Sequence, residues 1–334
     1  MKTFILAFFV VFIGYISQPD SLFEYPSYFP EPSYNFKENI LDSTKIRLGR
    51  ILFYDPILSK DNSISCASCH SPYNSFAHTD HSLSHGISDS IGNRNAPALF
   101  NLAWQDKFMW DGAINHLDMQ ALAPISHSGE MGSSLSEVVS KLNDSPNYIK
   151  LFYKAFKDST ITGAKVLKAL SQFQLTLVSA NSKYDKVQKG EQTYTEQEKN
   201  GYLLFKKNCD VCHTEPLFST YQFASNGLPV DSTLNDAGRW KITARKEDSL
   251  LFKIPGLRNL SFSYPYMHDG RFNTLKQVLN HYTSEINHMP NISRELKEQK
   301  ISLTSNEKID LIAFLLTLND PDFVFNKKNH FQTF

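Results

Sequence analysis

Apolar side chains recur at three- and four-residue spacing in several separate stretches of the chain, the pattern of helices that bury one face. Three of these stretches follow a hydroxyl residue with a glutamate three places on: Ser134-x-x-Glu137, Thr195-x-x-Glu198 and Thr304-x-x-Glu307. At that spacing the hydroxyl accepts from a backbone N–H ahead of it while the carboxylate reaches back, so each marks a helix start. The pattern predicts helices over Lys45 to Tyr54, Leu135 to Asn143, Ala164 to Ala180, Glu196 to Asn208, Leu275 to Thr283 and Ser305 to Leu318. Alternating strand patterns are scarce, and prolines and glycines cluster between the helices, so the fold class is mainly α with short sheet at most. The polar stretch Ser182 to Thr195 lacks apolar periodicity and predicts a boundary between a domain over 21–188 and another over 189–334.

The chain opens on Lys2 and an apolar run from Phe4 to Ile16. That run is shorter than the roughly 20 residues a membrane-spanning helix needs, and predicts an export signal over residues 1–20. Ile16-Ser17-Gln18-Pro19 lacks a small-x-small cleavage pattern, which keeps an uncleaved N-terminal anchor as the alternative. Export implies an oxidising compartment such as the periplasm, where disulfides form.

Composition changes the picture at one point. Across 334 residues, 34 basic side chains balance 34 acidic ones, with no basic cluster to track a phosphate backbone, which argues against nucleic acid as a partner. The same neutrality offers no field to steer a charged protein partner. All four cysteines fall in two copies of one pentapeptide, Cys66-Ala-Ser-Cys69-His70 and Cys209-Asp-Val-Cys212-His213, 143 residues apart. Two disulfides, a zinc site or a redox dithiol would also use paired cysteines, but none of these calls for histidine at the fifth place. Covalent haem attachment needs two thiols about one helical turn apart, each adding to one vinyl group, and a histidine beside them to ligate iron. The spacing therefore predicts two haem c groups, with His70 and His213 as proximal ligands. The halves read as diverged versions of one haem-binding unit, with weak self-similarity beyond the motif.

Around the haem motifs lie further landmarks in a fixed order. They are Leu48-Gly49-Arg50-x-Leu52-Phe53-Tyr54-Asp55-Pro56, Arg94-Asn95-Ala96-Pro97, Met109-Trp110-Asp111-Gly112 and Glu130-Met131-Gly132, then Asp236-x-Gly238-Arg239, Lys253-x-Pro255-x-Leu257-Arg258-Asn259 and Tyr264-Pro265-Tyr266-Met267-His268-Asp269-Gly270. The ordered set resembles the bacterial dihaem cytochrome c peroxidases and their MauG-type relatives, over nearly all of the chain beyond the leader. The resemblance implies two cytochrome c-like haem domains packed against each other. It also implies reduction of hydrogen peroxide at the His70 haem, with electrons from a small c-type cytochrome or similar donor relayed through the His213 haem. Family spacing from Trp110 brings a distal-pocket proline to Pro124 and the acid/base carboxylate to Glu130, while Trp110 falls between the haems and Gln120 at a pocket-lining position. A loop-capping role is the plain alternative for Glu130 and core packing for Trp110.

Some members close the first haem with a histidine; His78, His81 and His85 lie in that loop, and the reading takes them as solvated loop residues outside the catalytic set. The family also binds one calcium ion, which the resemblance carries onto Asn95, Ser263 and Pro265. For the sixth ligand of the second haem, MauG-type spacing points to Tyr282, with Met289, Met267 and His281 as alternatives and a buried structural tyrosine as the plain reading. Tyrosine there opens a second function, oxidation of a partner protein by peroxide, and a third reading is a non-catalytic dihaem electron carrier. Members of the family are often homodimers.

Overall fold

A computed structural model describes residues 22–331 except 285 and 287–290, so the expected leader and Met289 lie outside the described residues. Helices dominate, and the one two-stranded sheet among those residues pairs Phe223–Ala224 with Phe252–Lys253. Thr195 and Thr304 cap Glu196–Asn208 and Ser305–Leu316 through full reciprocal pairs: Glu198 Oε2 accepts from the Thr195 N–H at 2.7 Å, and Glu307 Oε2 from the Thr304 N–H at 2.7 Å. Ser134 caps Leu135–Asn143, but the Glu137 carboxylate turns to the hydroxyls of Ser133 and Ser134 instead of the backbone.

Three helical expectations shift, the first for a local reason and the other two for tertiary ones. The first helix starts at Ser43 because Asp42 Oδ1 accepts from the N–H groups of Thr44 and Lys45. The helix expected to run to Ala180 spans Gly163–Leu175 and stops there. Beyond it, Asn101 captures the chain: its N–H donates to the Leu177 carbonyl at 2.8 Å and its Oδ1 accepts from the Ser179 N–H at 2.9 Å. The stretch read as an aperiodic linker opens with a helix, Lys183–Gln188, whose Tyr184 and Asp185 are buried. A further helix, Pro146–Phe156, begins with proline in its first turn, where no N–H is needed.

Two helix pairs organise the molecule. Ser43–Tyr54 crosses Gly163–Leu175, and Glu196–Asn208 crosses Ser305–Leu316. Each crossing brings backbones into contact at a glycine: a Cβ on Gly49 would stand 1.8 Å from the Ala169 carbonyl oxygen, and one on Gly201 1.9 Å from that of Asp310. The first pair builds an apolar cluster around Leu52, Phe53, Phe76, Leu170 and Phe173; the second builds one around Phe205, Phe218, Leu311 and Phe314. The chain trades residues between them, since Tyr184 packs in the second cluster while Phe323 and Val324 return to the first.

A further match between the halves runs from Asn101 to His116 at a constant offset of 158 residues, against 152 for the crossing glycines and 143 for the cysteine motifs. Asn101 and Asn259 adopt positive φ (53° and 63°), each ahead of a short 3-10 turn, Leu102–Trp104 and Leu260–Phe262. Met109 and Met267 follow with φ of 68° and 78°, then Gly112 and Gly270 with 71° and 68°. Bridges Phe108–Ile114 and Tyr266–Phe272 close both loops, and His116 and Thr274 cap the helices that follow. Asn101, Leu102, Met109, Asp111, Gly112, Asn115 and Leu117 recur as Asn259, Leu260, Met267, Asp269, Gly270, Asn273 and Leu275, but the cysteine motifs lie 143 residues apart, so aligning the halves on those motifs puts these matches out of register.

Two arginine–carboxylate pairs join distant segments. Arg258, wholly buried, holds Asp185 through two bonds of 2.8 Å, donates to the Pro216 carbonyl, and lies against the rings of Phe29, Tyr184 and Phe218. Tyr28 donates to the same carboxylate at 2.6 Å. Arg94 grips Asp236 at 2.6 and 2.9 Å and reaches Asp111 at 2.6 Å. Burial alone would raise both Asp185 and Asp236, but the hydrogen bonds and charge of their arginines outweigh it and hold both carboxyls below the usual range. A depressed folded value means stabilisation that is complete above the unfolded value of 3.8 and fades as pH falls below it. Denaturant midpoints measured from pH 6 downward should therefore hold to about pH 4 and then decline, less steeply in Asp236→Asn. Equal acid sensitivity of that variant and the parent would remove the Asp236 pair as a contributor.

Candidate functional site

A cavity of about 690 Å³ runs between the two cysteine–histidine segments. Each segment delivers its histidine the same way. A turn closes on the first cysteine, with the His70 N–H on the Cys66 carbonyl and the His213 N–H on the Cys209 carbonyl, both at 2.9 Å. The ring is then aimed through Nδ1: that of His70 meets the Phe76 carbonyl at 2.8 Å, and that of His213 meets the carbonyls of Phe218 and Pro255 at 3.1 Å. A ring nitrogen that donates to a carbonyl fixes the tautomer in which Nε2 carries the free lone pair, the form that ligates iron. Burial pushes His70 down to about 4 and lowers His213, so both rings stay neutral at ordinary pH. It pushes the thiols of Cys66 and Cys209 up to about 12, and all four cysteines are unpaired. Neutral adjacent thiols with a neutral, aimed imidazole on one cavity wall fit a covalently attached haem at each end.

Glu130, Pro124 and Gln120 line the same cavity as His70. Pro124 sits in the short helix Leu122–Ser126, and its carbonyl accepts from the Met131 N–H at 3.2 Å. The chain then turns over His127, whose carbonyl takes the N–H groups of Glu130 and Gly132, while the Glu130 carbonyl accepts from Ile87 at 2.8 Å. The Glu130 carboxylate is thus held on a loop pinned from both sides, with 44% of its side chain exposed and His127 Nδ1 3.5 Å away. Surrounding protein raises its proton affinity above that of an ordinary carboxyl, against the opposing pull of His127. Gln120, nearly buried, points its amide at the Met109 sulfur at 3.9 Å. Of the three loop histidines, His85 reaches the cavity wall. Its Nδ1 meets Asp89 at 2.5 Å, and its ring stacks on His81, which stacks on His78.

Between the ends, the Trp110 indole N–H donates to the Asn95 carbonyl at 2.8 Å, and the Trp110 carbonyl accepts from the Lys253 N–H at 2.7 Å. Asn95, Ser263 and Pro265 line this stretch, and the Asn95 amide donates to the Ser82 carbonyl. Among the described residues, no group of three or more His, Cys, Asp or Glu side chains gathers to hold a metal ion. A hard cation at Asn95, Ser263 and Pro265 would depend on amide and carbonyl oxygens.

The His213 end carries both Tyr282 and Met267 on its wall. Burial pushes the Tyr282 phenol up to about 12. His281 is turned away to the Asn226 carbonyl at 3.0 Å. The 158-residue offset that aligns the caps His116 and Thr274 brings Pro124 into register with Tyr282, so the two ends present different residues at equivalent positions. Sequence reasoning overlooked His127, although its three-residue spacing before Glu130 was visible, and overlooked Asn226, for which no local signal exists.

Known proteins resemble this chain over most of its length. The sequence model of a family described as di-haem cytochrome c peroxidase matches residues 43–193. The methylamine utilization protein MauG of Methylorubrum extorquens is 37% identical, over 89% of this chain and 83% of that protein. The cytochrome c551 peroxidase of Nitrosomonas europaea is 36% identical, over 83% of this chain and 80% of that protein. The crystal structure of a MauG-like protein associated with microbial copper homeostasis superposes with a TM-score of 0.82 at 29% identity, covering 91% of this chain and 97% of the other.

Proposed function

Because the chain belongs to the dihaem cytochrome c peroxidase and MauG family of oxidoreductases, we propose that it is an exported dihaem peroxidase that reduces hydrogen peroxide to water. In this reading residues 21–188 and 189–334 are two cytochrome c-like domains packed together, each holding one haem through its cysteine pair and histidine. The matched helix crossings at Gly49 and Gly201 and the 158-residue repeat support that division. The haem on His70 would supply the redox centre for O–O cleavage, and the haem on His213 would store an electron from the donor.

The protein's own groups do the rest. The Glu130 carboxylate takes the proton from one peroxide oxygen and returns it to the other as the O–O bond opens, so the departing oxygen leaves as water. Two electrons from the donor and two protons from solvent complete the conversion of one peroxide to two waters. Pro124, with no donor atom in its ring, keeps the space above His70 free of a protein ligand, and Gln120 bounds it. Trp110, held at both its indole and its carbonyl, provides a fixed aromatic bridge between the two ends. Asn95, Ser263 and Pro265 would hold one calcium ion, and Tyr282 would be the second protein ligand of the haem on His213.

The observation that carries the reading is Glu130, a carboxyl of raised proton affinity that lines the same cavity as His70. An electron carrier has no use for such a group. Tyr282 favours a second reading, MauG-type oxidation of a partner protein, because an oxygen ligand stabilises higher oxidation states. Rapid mixing of the dihaem protein with peroxide, with and without a reduced small cytochrome c, separates the readings. Repeated oxidation of the cytochrome is expected; a long-lived oxidised enzyme without turnover would move the assignment to the MauG type. No change in the haem spectrum would leave an electron carrier.

A further inference from the structure

We propose that Asn226 is the positioning residue for the sixth position on the His213 side, its amide N–H selecting the Tyr282 oxygen over the Met267 sulfur and tuning the potential there. The inference rests on the reading of Tyr282 as the ligand.

Asn226 Nδ2 faces both candidates at once, the Tyr282 hydroxyl at 3.4 Å and the Met267 sulfur at 3.3 Å. The direction of the amide is settled by its other end, where Oδ1 accepts from the Leu228 N–H at 3.2 Å. The backbone is anchored as well. The Asn226 carbonyl accepts from His281 Nε2 at 3.0 Å, one residue from Tyr282 on the same helix, and the neighbouring Ser225 carbonyl accepts from the Ser293 N–H at 3.0 Å. Asn226 thus grips the Leu275–Tyr282 helix with its carbonyl and presents an N–H to the phenol beside it.

The Asn226 Nδ2 carries two N–H groups, enough to meet both acceptors, but the two gain unequally from it. A thioether is a weak acceptor, whereas a phenolate oxygen gains a charge-assisted bond roughly twice as strong as a neutral one. The amide therefore rewards the tyrosinate far more than the methionine. It also draws charge from the oxygen, which weakens donation to iron and raises the potential of that haem relative to an unassisted tyrosinate.

The test is redox titration and absorption spectroscopy of the purified dihaem protein, with haem content and thermal melting as controls for folding. Asn226→Leu keeps the branched shape at a somewhat larger volume and removes both N–H groups. With Tyr282 still bound, it should shift the reduction equilibrium of the second haem about tenfold toward the oxidised form, ~59 mV for one electron, and move the tyrosinate-to-iron absorption band; where the lost bond lets Met267 take the position, that band disappears and the potential rises, which supports the selecting role. Should Asn226→Leu fold poorly, Asn226→Asp exchanges the donor for an acceptor at the same shape and should shift both in the same direction. Tyr282→Phe and Met267→Leu are recorded alongside. If Tyr282→Phe changes the second haem's spectrum while both Asn226 variants leave potential and band where they were, Asn226 is not the tuning residue and the Tyr282 assignment stands. If Tyr282→Phe leaves that spectrum untouched, the ligand assignment fails and takes this inference with it.

Discussion

Glu130→Gln should slow the bimolecular reaction with hydrogen peroxide by about 10²- to 10⁴-fold, the range for loss of a general acid/base group. Glutamine keeps the size and a hydrogen-bonding carbonyl, so the loss isolates proton transfer. The loop should not move, because its anchors are main-chain bonds, Glu130 N–H to His127 and Ile87 N–H to the Glu130 carbonyl. Stopped-flow spectra of parent and variant under identical haem loading provide the measurement. Binding of a small neutral ligand at the first haem should be nearly unchanged, which distinguishes a chemical defect from a closed pocket. A drop of less than about threefold would remove Glu130 from the mechanism.

Asp185→Ala should cost about 3–5 kcal/mol of folding stability, because it strands a fully buried guanidinium. Set against the roughly 5–15 kcal/mol that holds a typical domain together, that is a large fraction. Arg258 would keep the Pro216 carbonyl and the surrounding aromatic faces, which do not neutralise a charge. Tyr28→Phe deletes one hydrogen bond to the same carboxylate and should cost only ~1 kcal/mol. Replacing both Asp185 and Arg258 by apolar residues of similar volume should recover much of the loss. Denaturant unfolding of the haem-loaded protein, with the linear dependence compared across the series, tests all three. Similar midpoints for Asp185→Ala and Tyr28→Phe would mean that the pair is dispensable.

What was legible in the sequence was mostly what is decided locally. The caps at Thr195 and Thr304 need only residues three apart, and the helices they open match expectation at the start. Lys183–Gln188 was opaque because it is short and polar, and its order comes from Tyr184 in the second apolar cluster and Asp185 on Arg258, contacts with residues far along the chain. The end at Leu175 was opaque for the same reason, since Asn101 lies far upstream.

At the candidate site, the cysteine and histidine positions followed from covalent chemistry. Glu130, Pro124, Gln120, Trp110 and Tyr282 came only through resemblance, and all of them line the cavity with His70 and His213. His281, an alternative at the sixth position, is committed to the Asn226 carbonyl. Asn226 itself could not have been found, because an asparagine in a polar loop has the same local signature whether it touches solvent or a ligand.

The 158-residue offset between the two matched loops has a consequence for how such a molecule divides its labour. Pro124 and Tyr282 occupy one address in two copies of a single scaffold. One copy has a side chain with no lone pair to offer, the other a phenol. A duplicated scaffold can thus acquire one vacant and one occupied face by a change at a single address, leaving the helix crossings, the caps and the bridged loops alone. Under the proposed function, receiving the oxidant and holding the charge would be separated by position in the repeat, and neither half would need an architecture of its own.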